Sequence, residues 1–488
     1  MILTRRNMVH CSLRVRLACL LAAMLSAACA SFDGLAPKSV PADASALAAS
    51  RSLAGARLSP AAWPTAAWWQ RFGDPQLDAL IAEALAASPG MGSARARIDK
   101  AVALAAGSGA ALAPQVGAGA DITRQHFSAN GIFPPPLADS WHTLTLLAAN
   151  FSYEFDLWGR NRAAYDAELG RVRAAEVDAY AVRLMLASSV ARAYAQLGRS
   201  FEQLDLAQAT LAQRQAIFDL IRQRVAAGLD SDVELKQAEG SIPAARLRIA
   251  QLDEEIALWR NLLAALLGQG PDRGLAIARP QMQVGLLALP SALPSDLLGR
   301  RPDVVAQRWR VEAARRDIEA AKGQFYPNVN LNAFVGVQSV TFSKLLASGS
   351  AIPGFGPALR LPLFDGGRLR ANLAAQNADF DLALEQYNQT LIEALREVVD
   401  QLASLRSVEA QRVELDGALA TAAQAHQLAL ARYRAGIGSY LQVLGAEGPL
   451  IEQKSLQANL RAHELELSIN LMRALGGGFE EAHTAGAS

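Results

Sequence analysis

Arg224-Val225-Ala226-Ala227-Gly228-Leu229 returns later in the chain as Arg432-Tyr433-Arg434-Ala435-Gly436-Ile437. Ser231 then matches Ser439, Ala238 matches Ala446 and Glu239 matches Glu447, all at one offset of 208 (432 − 224). Arg160 and Arg162 match Arg368 and Arg370 at that same offset. Upstream, Pro89 and Pro114 match Pro302 and Pro327 at 213 (302 − 89). One unit therefore occurs twice, and a repeat of this length predicts an architecture with internal pseudo-symmetry. In each copy a Gly stands where a long helical pattern ends and another begins. Gly228-Leu229 and Gly436-Ile437 read as tight turns between helices.

Outward from the first turn, Arg160 to Ala227 holds no Pro, and Gly170 and Gly198 are its only Gly. That predicts one helix of about 68 residues, on the order of 100 Å long at 1.5 Å per residue. Val190, Leu197, Leu204, Leu211, Phe218 and Val225 recur every seven residues, with Tyr194 and Phe201 interleaved. Leu444, Ile451, Ala458, Leu465 and Met472 repeat the pattern in the last helix. Sustained heptads mean coiled-coil packing. A soluble antiparallel coiled coil would explain these helices, but not the strands or the export signal that accompany them.

Between the helices lie alternating segments. Val116, Ala118, Ala120 and Ile122 oppose Gly117, Gly119, Asp121, Thr123 and Gln125. Val329, Leu331, Ala333, Val335 and Val337 oppose Asn328, Asn330, Asn332 and Gln338, and Phe355, Leu359, Leu361 and Leu363 oppose Gly354, Gly356, Ala358 and Arg360. The remaining strand changes phase, with Leu144 and Leu146 even but Phe151, Tyr153 and Phe155 odd, which calls for a bulge near Ala148. One apolar and one polar face fits a membrane barrel wall, but alternation alone favours a half-exposed soluble sheet. Four strands cannot close a barrel alone, so a membrane reading requires several copies sharing one. Asp121, Thr123, Asn328, Asn330 and Asn332 would then face water, and Val116, Val329 and Leu331 would face lipid.

Of 488 residues, 51% are hydrophobic and 19% charged, with a net charge of +1. No basic face argues for nucleic acid, which must be bound through its phosphates. At the N-terminus, Arg5, Arg6, Arg14 and Arg16 precede the apolar run Leu17 to Leu25, as in an export signal. Leu25-Ser26-Ala27-Ala28-Cys29 resembles a lipobox with one extra residue, which makes Cys29 the candidate lipidation site; an ordinary signal peptide cleaved near Ala28 or Ala30 is the alternative. Cys11 and Cys19 would leave with the signal, so no disulfide within the mature chain is expected. Ala30 follows the Cys, which fits outer-membrane sorting. The six His residues, His10, His126, His142, His426, His463 and His483, show no metal-ligand spacing. No nucleophile motif or phosphate loop is present, and no enzyme activity or cofactor is expected.

Several motifs, in order, resemble one family. Leu157-Trp158-Gly159-Arg160-Asn161-Arg162, Leu298-Gly299-Arg300-Arg301-Pro302-Asp303-Val304, Phe325-Tyr326-Pro327-Asn328 and Pro362-Leu363-Phe364-Asp365-Gly366-Gly367-Arg368 look like signatures of the TolC-type outer-membrane factors, and more closely of their lipoprotein (NodT-type) branch. The resemblance runs from about Trp63 to Gly478. It implies a mixed α and β fold. A homotrimer would share a twelve-stranded transmembrane β-barrel, four strands per chain, continued by a long periplasmic α-helical coiled-coil barrel. It implies an outer-membrane exit duct of a tripartite efflux pump, docking with a periplasmic adaptor and an inner-membrane transporter, most often of the resistance-nodulation-division (RND) class. A type I protein-secretion channel and a non-channel coiled-coil scaffold are the rival readings.

The implied layout is a signal peptide over 1–28 and a lipidated leader over 29–61. A first repeat over 62–278 has strands near 114–156 and long helices near 160–268. A second repeat over 279–478 has strands near 327–364 and long helices near 367–476, before a tail over 479–488. Strand-to-helix corners fall at Gly159-Arg160 and Gly366-Gly367-Arg368. In the family the inter-helix turns form a periplasmic tip that is both gate and adaptor contact. Gate positions map onto Glu234, and onto Tyr433, Leu441, Gln442 and Gly445. Acids that some members carry at the last two are missing here. Leu441 then reads either as an apolar constriction or as a plain heptad core residue, with charge from Asp230, Asp232 and Glu234.

Overall fold

The computed structural model describes residues 32–43, 47, 58–59, 63–283, 289–290 and 299–481; Cys29 lies outside them. Its elements follow the duplicated order. Helices α1 (Pro75–Ala87) and α2 (Pro89–Gly109) lead into strands β1 (Gln115–Phe127) and β2 (Ser140–Phe155), then into helices α3 (Arg160–Ala226) and α4 (Asp232–Leu266). The second copy is α5 (Pro302–Gly323), β3 (Asn328–Ser339), β4 (Gly354–Arg360), α6 (Arg368–Arg434) and α7 (Tyr440–Ala474). Helices α3 and α6 both have 67 residues, and α4 and α7 both have 35. All four pairs of ends are related by 208 (368 − 160, 434 − 226, 440 − 232, 474 − 266). No described helix is long and apolar enough to cross a membrane.

The chain divides into two units. The first, 1–41, 98–174 and 307–387, holds the sheet. Its strands run antiparallel in the order β1-β2-β3-β4. Register fixes the faces. Val116 pairs with Phe151, Phe151 with Ala333 and Ala333 with Phe355, so these four share one side. Gly117, Asn150, Phe334 and Gly354 share the other. By the same alternation Asp121, Thr123, Asn328, Asn330 and Asn332 fall together on the polar side, and Val116, Val329 and Leu331 on the apolar side. Much of the apolar side is bare: Phe355 is 89% exposed and Val335 62%.

The bulge expected near Ala148 is absent. Pairing runs unbroken from Gln115↔Ser152 to Phe127↔Ser140, and Ala148 meets Gly119 on one side and Gly336 on the other. Gly336 provides the reason: a Cβ there would lie 2.3 Å from the Leu147 carbonyl oxygen and 2.7 Å from the Ala148 Cβ. The strands pass closely because one residue has no side chain, so no extra residue is needed. Leu144 and Leu146 consequently sit on the polar side, opposite Thr123 and Asp121.

Each strand-to-helix corner is built from an Asp followed by Gly with positive φ. Asp156 accepts the backbone N–H of Asn161 (3.1 Å) and Arg162 (2.8 Å), and Gly159 has φ 68°. Asp365 accepts from Gly367 (3.0 Å) and Leu369 (2.8 Å), with Gly366 and Gly367 at φ 66° and 87°. The carboxylates satisfy orphan donors at the starts of α3 and α6. Arg160 grips Glu154 at 2.8 Å, while Arg368 is exposed. The Trp158 indole stacks on Tyr326 (4.7 Å) and donates to the Pro327 carbonyl (2.9 Å).

The second unit, 42–97, 175–306 and 388–488, holds the main core. Trp68, Phe72, Leu77 and Ile81 pack with Val190, Tyr194 and Leu197 of α3, Leu263 of α4 and Ile469 and Leu471 of α7. Arg301 of the Leu-Gly-Arg-Arg-Pro-Asp motif is 5% exposed. It binds Asp303 (2.6 Å), Glu397 (3.0 Å) and the carbonyl of Ala474 (3.1 Å), the last residue of α7. A buried guanidinium is tolerable with such partners, and the motif's work is to tie the end of the second repeat to α6. Burial along the heptads fades toward the turns: Val190 and Leu197 are fully buried, whereas Leu211, Phe218 and Val225 are half-buried.

Candidate functional site at the inter-helix turns

The two turns share a backbone and differ in side chains. In the first, the N–H of Leu229 bonds to the Arg224 carbonyl (2.8 Å) and that of Gly228 to Val225 (3.0 Å), with Gly228 at φ 71°. In the second, Ile437 bonds to Arg432 (3.0 Å) and Gly436 to Tyr433 (3.0 Å), with Gly436 at φ 77°. Both are helix ends closed by a left-handed glycine. Ser231 then caps α4 in a capping box: its Oγ accepts from Val233 N–H (3.3 Å), and Glu234 accepts from the Ser231 N–H (3.0 Å). Ser439 opens α7 without a side-chain cap. Gln442 stands at the position of Glu234, but no such box forms there.

The largest difference is a latch between the two hairpins. Arg224 holds Asp230 through two bonds (2.8 and 3.1 Å), and the Tyr433 hydroxyl donates to the same carboxylate at 2.6 Å. The Arg224 guanidinium also lies over the Tyr433 ring, 4.8 Å from its centroid. Tyr433 is fully buried among Ile217, Ile221, Ala238, Tyr440 and Val443. The Arg224 hydrogen bond holds the Asp230 carboxyl below its usual range; burial and then Asp230 push the Tyr433 phenol up. Behind the latch, Glu447 is buried against Arg214 (3.4 Å) and Gln213 (3.2 Å), and Gln213 also meets His426 (3.1 Å). Its repeat mate Glu239 is exposed and pairs with Lys236.

Asp230 and Tyr433 thus come together, and Glu234 is engaged within its own turn. Asp232 is exposed in the first turn of α4. Leu441, Gln442 and Gly445 lie on the exposed side of α7. Leu229, Val233, Ile437 and Leu441 leave four large apolar side chains bare around the turns. From the sequence alone Arg224, Glu447 and His426 receive no role at the turns. The signal for Arg224 was there: Arg224 and Arg432 match across the repeat, but only the first has an acid six residues on, since Gly438 stands where Asp230 does.

Comparison with known proteins gives the context for this tip. The profile of the outer membrane efflux proteins matches residues 80–269 and 293–477. The chain belongs to that family. This efflux protein is 42% identical over 368 residues to the fusaric acid resistance protein FusA of Burkholderia cepacia, covering 74% of this chain and 69% of the relative. It is 34% identical to the multidrug resistance outer membrane protein MdtP of Escherichia coli, covering 87% and 88%. Among solved structures, the outer membrane protein VceC of Vibrio cholerae superposes with a TM-score of 0.80 at 38% identity, covering 86% of this chain and all of that one.

Proposed function

We propose that this efflux protein is the exit duct of a tripartite pump, a passive homotrimeric channel opened at its tip by a periplasmic adaptor and an inner-membrane transporter of the RND class. One observation carries the reading: a four-stranded sheet with a bare apolar face and two outer strands, β1 and β4, each paired on one side only among the described residues. In lipid each unpaired backbone group costs several kcal/mol, so the sheet needs neighbours. Three copies around one axis would join β4 of each to β1 of the next and close twelve strands with room for a lumen. Relatives named for multidrug and fusaric acid resistance support small organic cargo over secreted protein.

At the tip, the bare Leu229, Val233, Ile437 and Leu441 are an apolar surface for the adaptor and for the neighbouring copies, with Gly228 and Gly436 setting the turns. Leu441 supplies the constriction. Purified protein in planar bilayers tests both claims. Discrete conductance steps, small at rest, are expected, and Leu441→Ser should widen the resting pore. Protein that never conducts would sink the duct; an unchanged Leu441→Ser pore would sink the constriction.

Lipidation of Cys29 has support in how the leader is seated. Phe32 stands edge-on to Phe325 at 5.2 Å, and the N–H groups of Lys38 and Ser39 donate to Asp381 (both 2.9 Å). Phe325 lies three residues before β3. In the sequence Cys29 stands three residues before Phe32. An acyl group there would enter the membrane beside the strand ends. Cells grown with labelled palmitate should yield labelled protein, and Cys29→Ala should yield none; an unlabelled parent would exclude the anchor.

A further inference from the structure

A cavity of about 160 Å³ opens between α3, α4 and α7, away from the turns. Buried Ala207 and Ala245 line its depth, and Leu206 and Ile451 form apolar walls. Ala244 and Ala245 directly follow Pro243, and Ile451 follows Pro449, the prolines inside the two return helices. Proline removes one backbone hydrogen bond from each of these helices beside the cavity. A void of this size with apolar walls accepts a benzene-sized body.

The polar lining has a definite sign. Two guanidiniums reach the cavity, Arg214 from α3 and Arg248 from α4. Arg214 is neutralised by Glu447 at 3.4 Å. Arg248 donates to the Gln203 Oε1 (2.6 Å), and Gln203 is itself fixed by Asn459 (2.7 Å). Among the described residues no carboxylate lies within ion-pair distance of Arg248. One oriented, uncompensated cation at the mouth of an apolar cavity selects an anion with an apolar tail.

We propose that this cavity binds a small monocarboxylate with a benzene-sized body, its ring against Leu206 and Ile451 and its carboxylate on Arg248. Occupancy ties α3 and α4 of the first hairpin to α7 of the second. The site stands apart from the duct reading and does not require it. The probe is 4-fluorobenzoate, followed by ¹⁹F line broadening against the purified full-length protein, with 4-fluorobenzamide as the uncharged control. Saturable broadening is expected for the acid only. Arg248→Gln should weaken it about tenfold, the worth of a charged hydrogen bond. Ala207→Met, which fills the cavity, should abolish it, and Arg246→Gln, outside the lining, should leave it unchanged. Thermal melts of each variant establish that it is folded. Equal broadening by the amide, no saturable binding, or binding that survives both Arg248→Gln and Ala207→Met would overturn the proposal.

Discussion

Asp230→Ala is expected to raise the resting conductance of the channel by an order of magnitude or more, while Asp232→Ala leaves it near the parent value. The Asp230 carboxylate joins Arg224 and Tyr433 at the turns. Both ends of the ion pair are largely buried, with side chains 16% and 10% exposed. Removing one partner of such a pair strands the other, at a cost of about 2–3 kcal/mol. That is a shift of roughly 30- to 150-fold between closed and open populations if the latch holds only in the closed form. Asp232 is exposed and makes no such contact, so its loss removes little. Tyr433→Phe keeps the ring in its pocket and loses only the 2.6 Å bond, so an intermediate rise is expected. A shut Asp230→Ala channel would remove the latch from the gating scheme.

The same latch sets a pH window. The folded-state pKa of Asp230 is lowered, first by the Arg224 hydrogen bond, so its contribution is fully present above the unfolded value of about 3.9 and is lost as pH falls through the folded value. The Tyr433 pKa is raised, first by burial, so its contribution is fully present below the unfolded value of about 10 and is lost as pH rises through the folded one. Both contributions hold between those limits. Resting conductance should therefore be flat from about pH 4 to pH 10 as far as the latch is concerned.

The long helices, their lengths and the repeat that relates them were legible because each depends on local pattern. In α3 and α6 a long proline-free run has one outcome and a glycine at its end closes it, while the heptads carry α4 and α7 through Pro243 and Pro449. The strand faces were legible for β1, β3 and β4 for the same reason. In β2 the pattern misled, because whether a strand bulges depends on its neighbours, and Gly336 is 188 residues from Ala148 (336 − 148). The latch was half legible. Asp230, Asp232 and Glu234 have Gly438, Tyr440 and Gln442 as their counterparts in the second turn, which marks where the copies diverge. That Tyr433 would reach Asp230 across 203 residues could not be read from either turn alone. Glu447 shows the converse: it matches Glu239 in the repeat, but burial gives the two opposite surroundings.

Register also decides where a charge should do most harm. Val335→Arg is expected to block accumulation of assembled protein in the outer membrane, whereas Phe334→Arg, one residue away, should be tolerated. Leu331 faces the same side as Val335, three residues from the start of β3. Val335 is closer to mid-strand, pairs with Ala149 of β2 and is 62% exposed on the apolar side. An Arg at mid-membrane depth costs about 2–4 kcal/mol on a barrel's lipid face, against a fraction of that near an interface. Three copies in one barrel multiply the effect, which then rivals the whole stability of an ordinary domain. Phe334 pairs with Asn150 and Gly354 on the polar side, where a guanidinium would meet water. The ratio of assembled to total protein, read on unheated gels of membrane fractions, should therefore collapse for Val335→Arg and hold for Phe334→Arg. If the two fared alike, the assignment of lipid and water to the two faces of this sheet would be wrong, and with it the shared barrel.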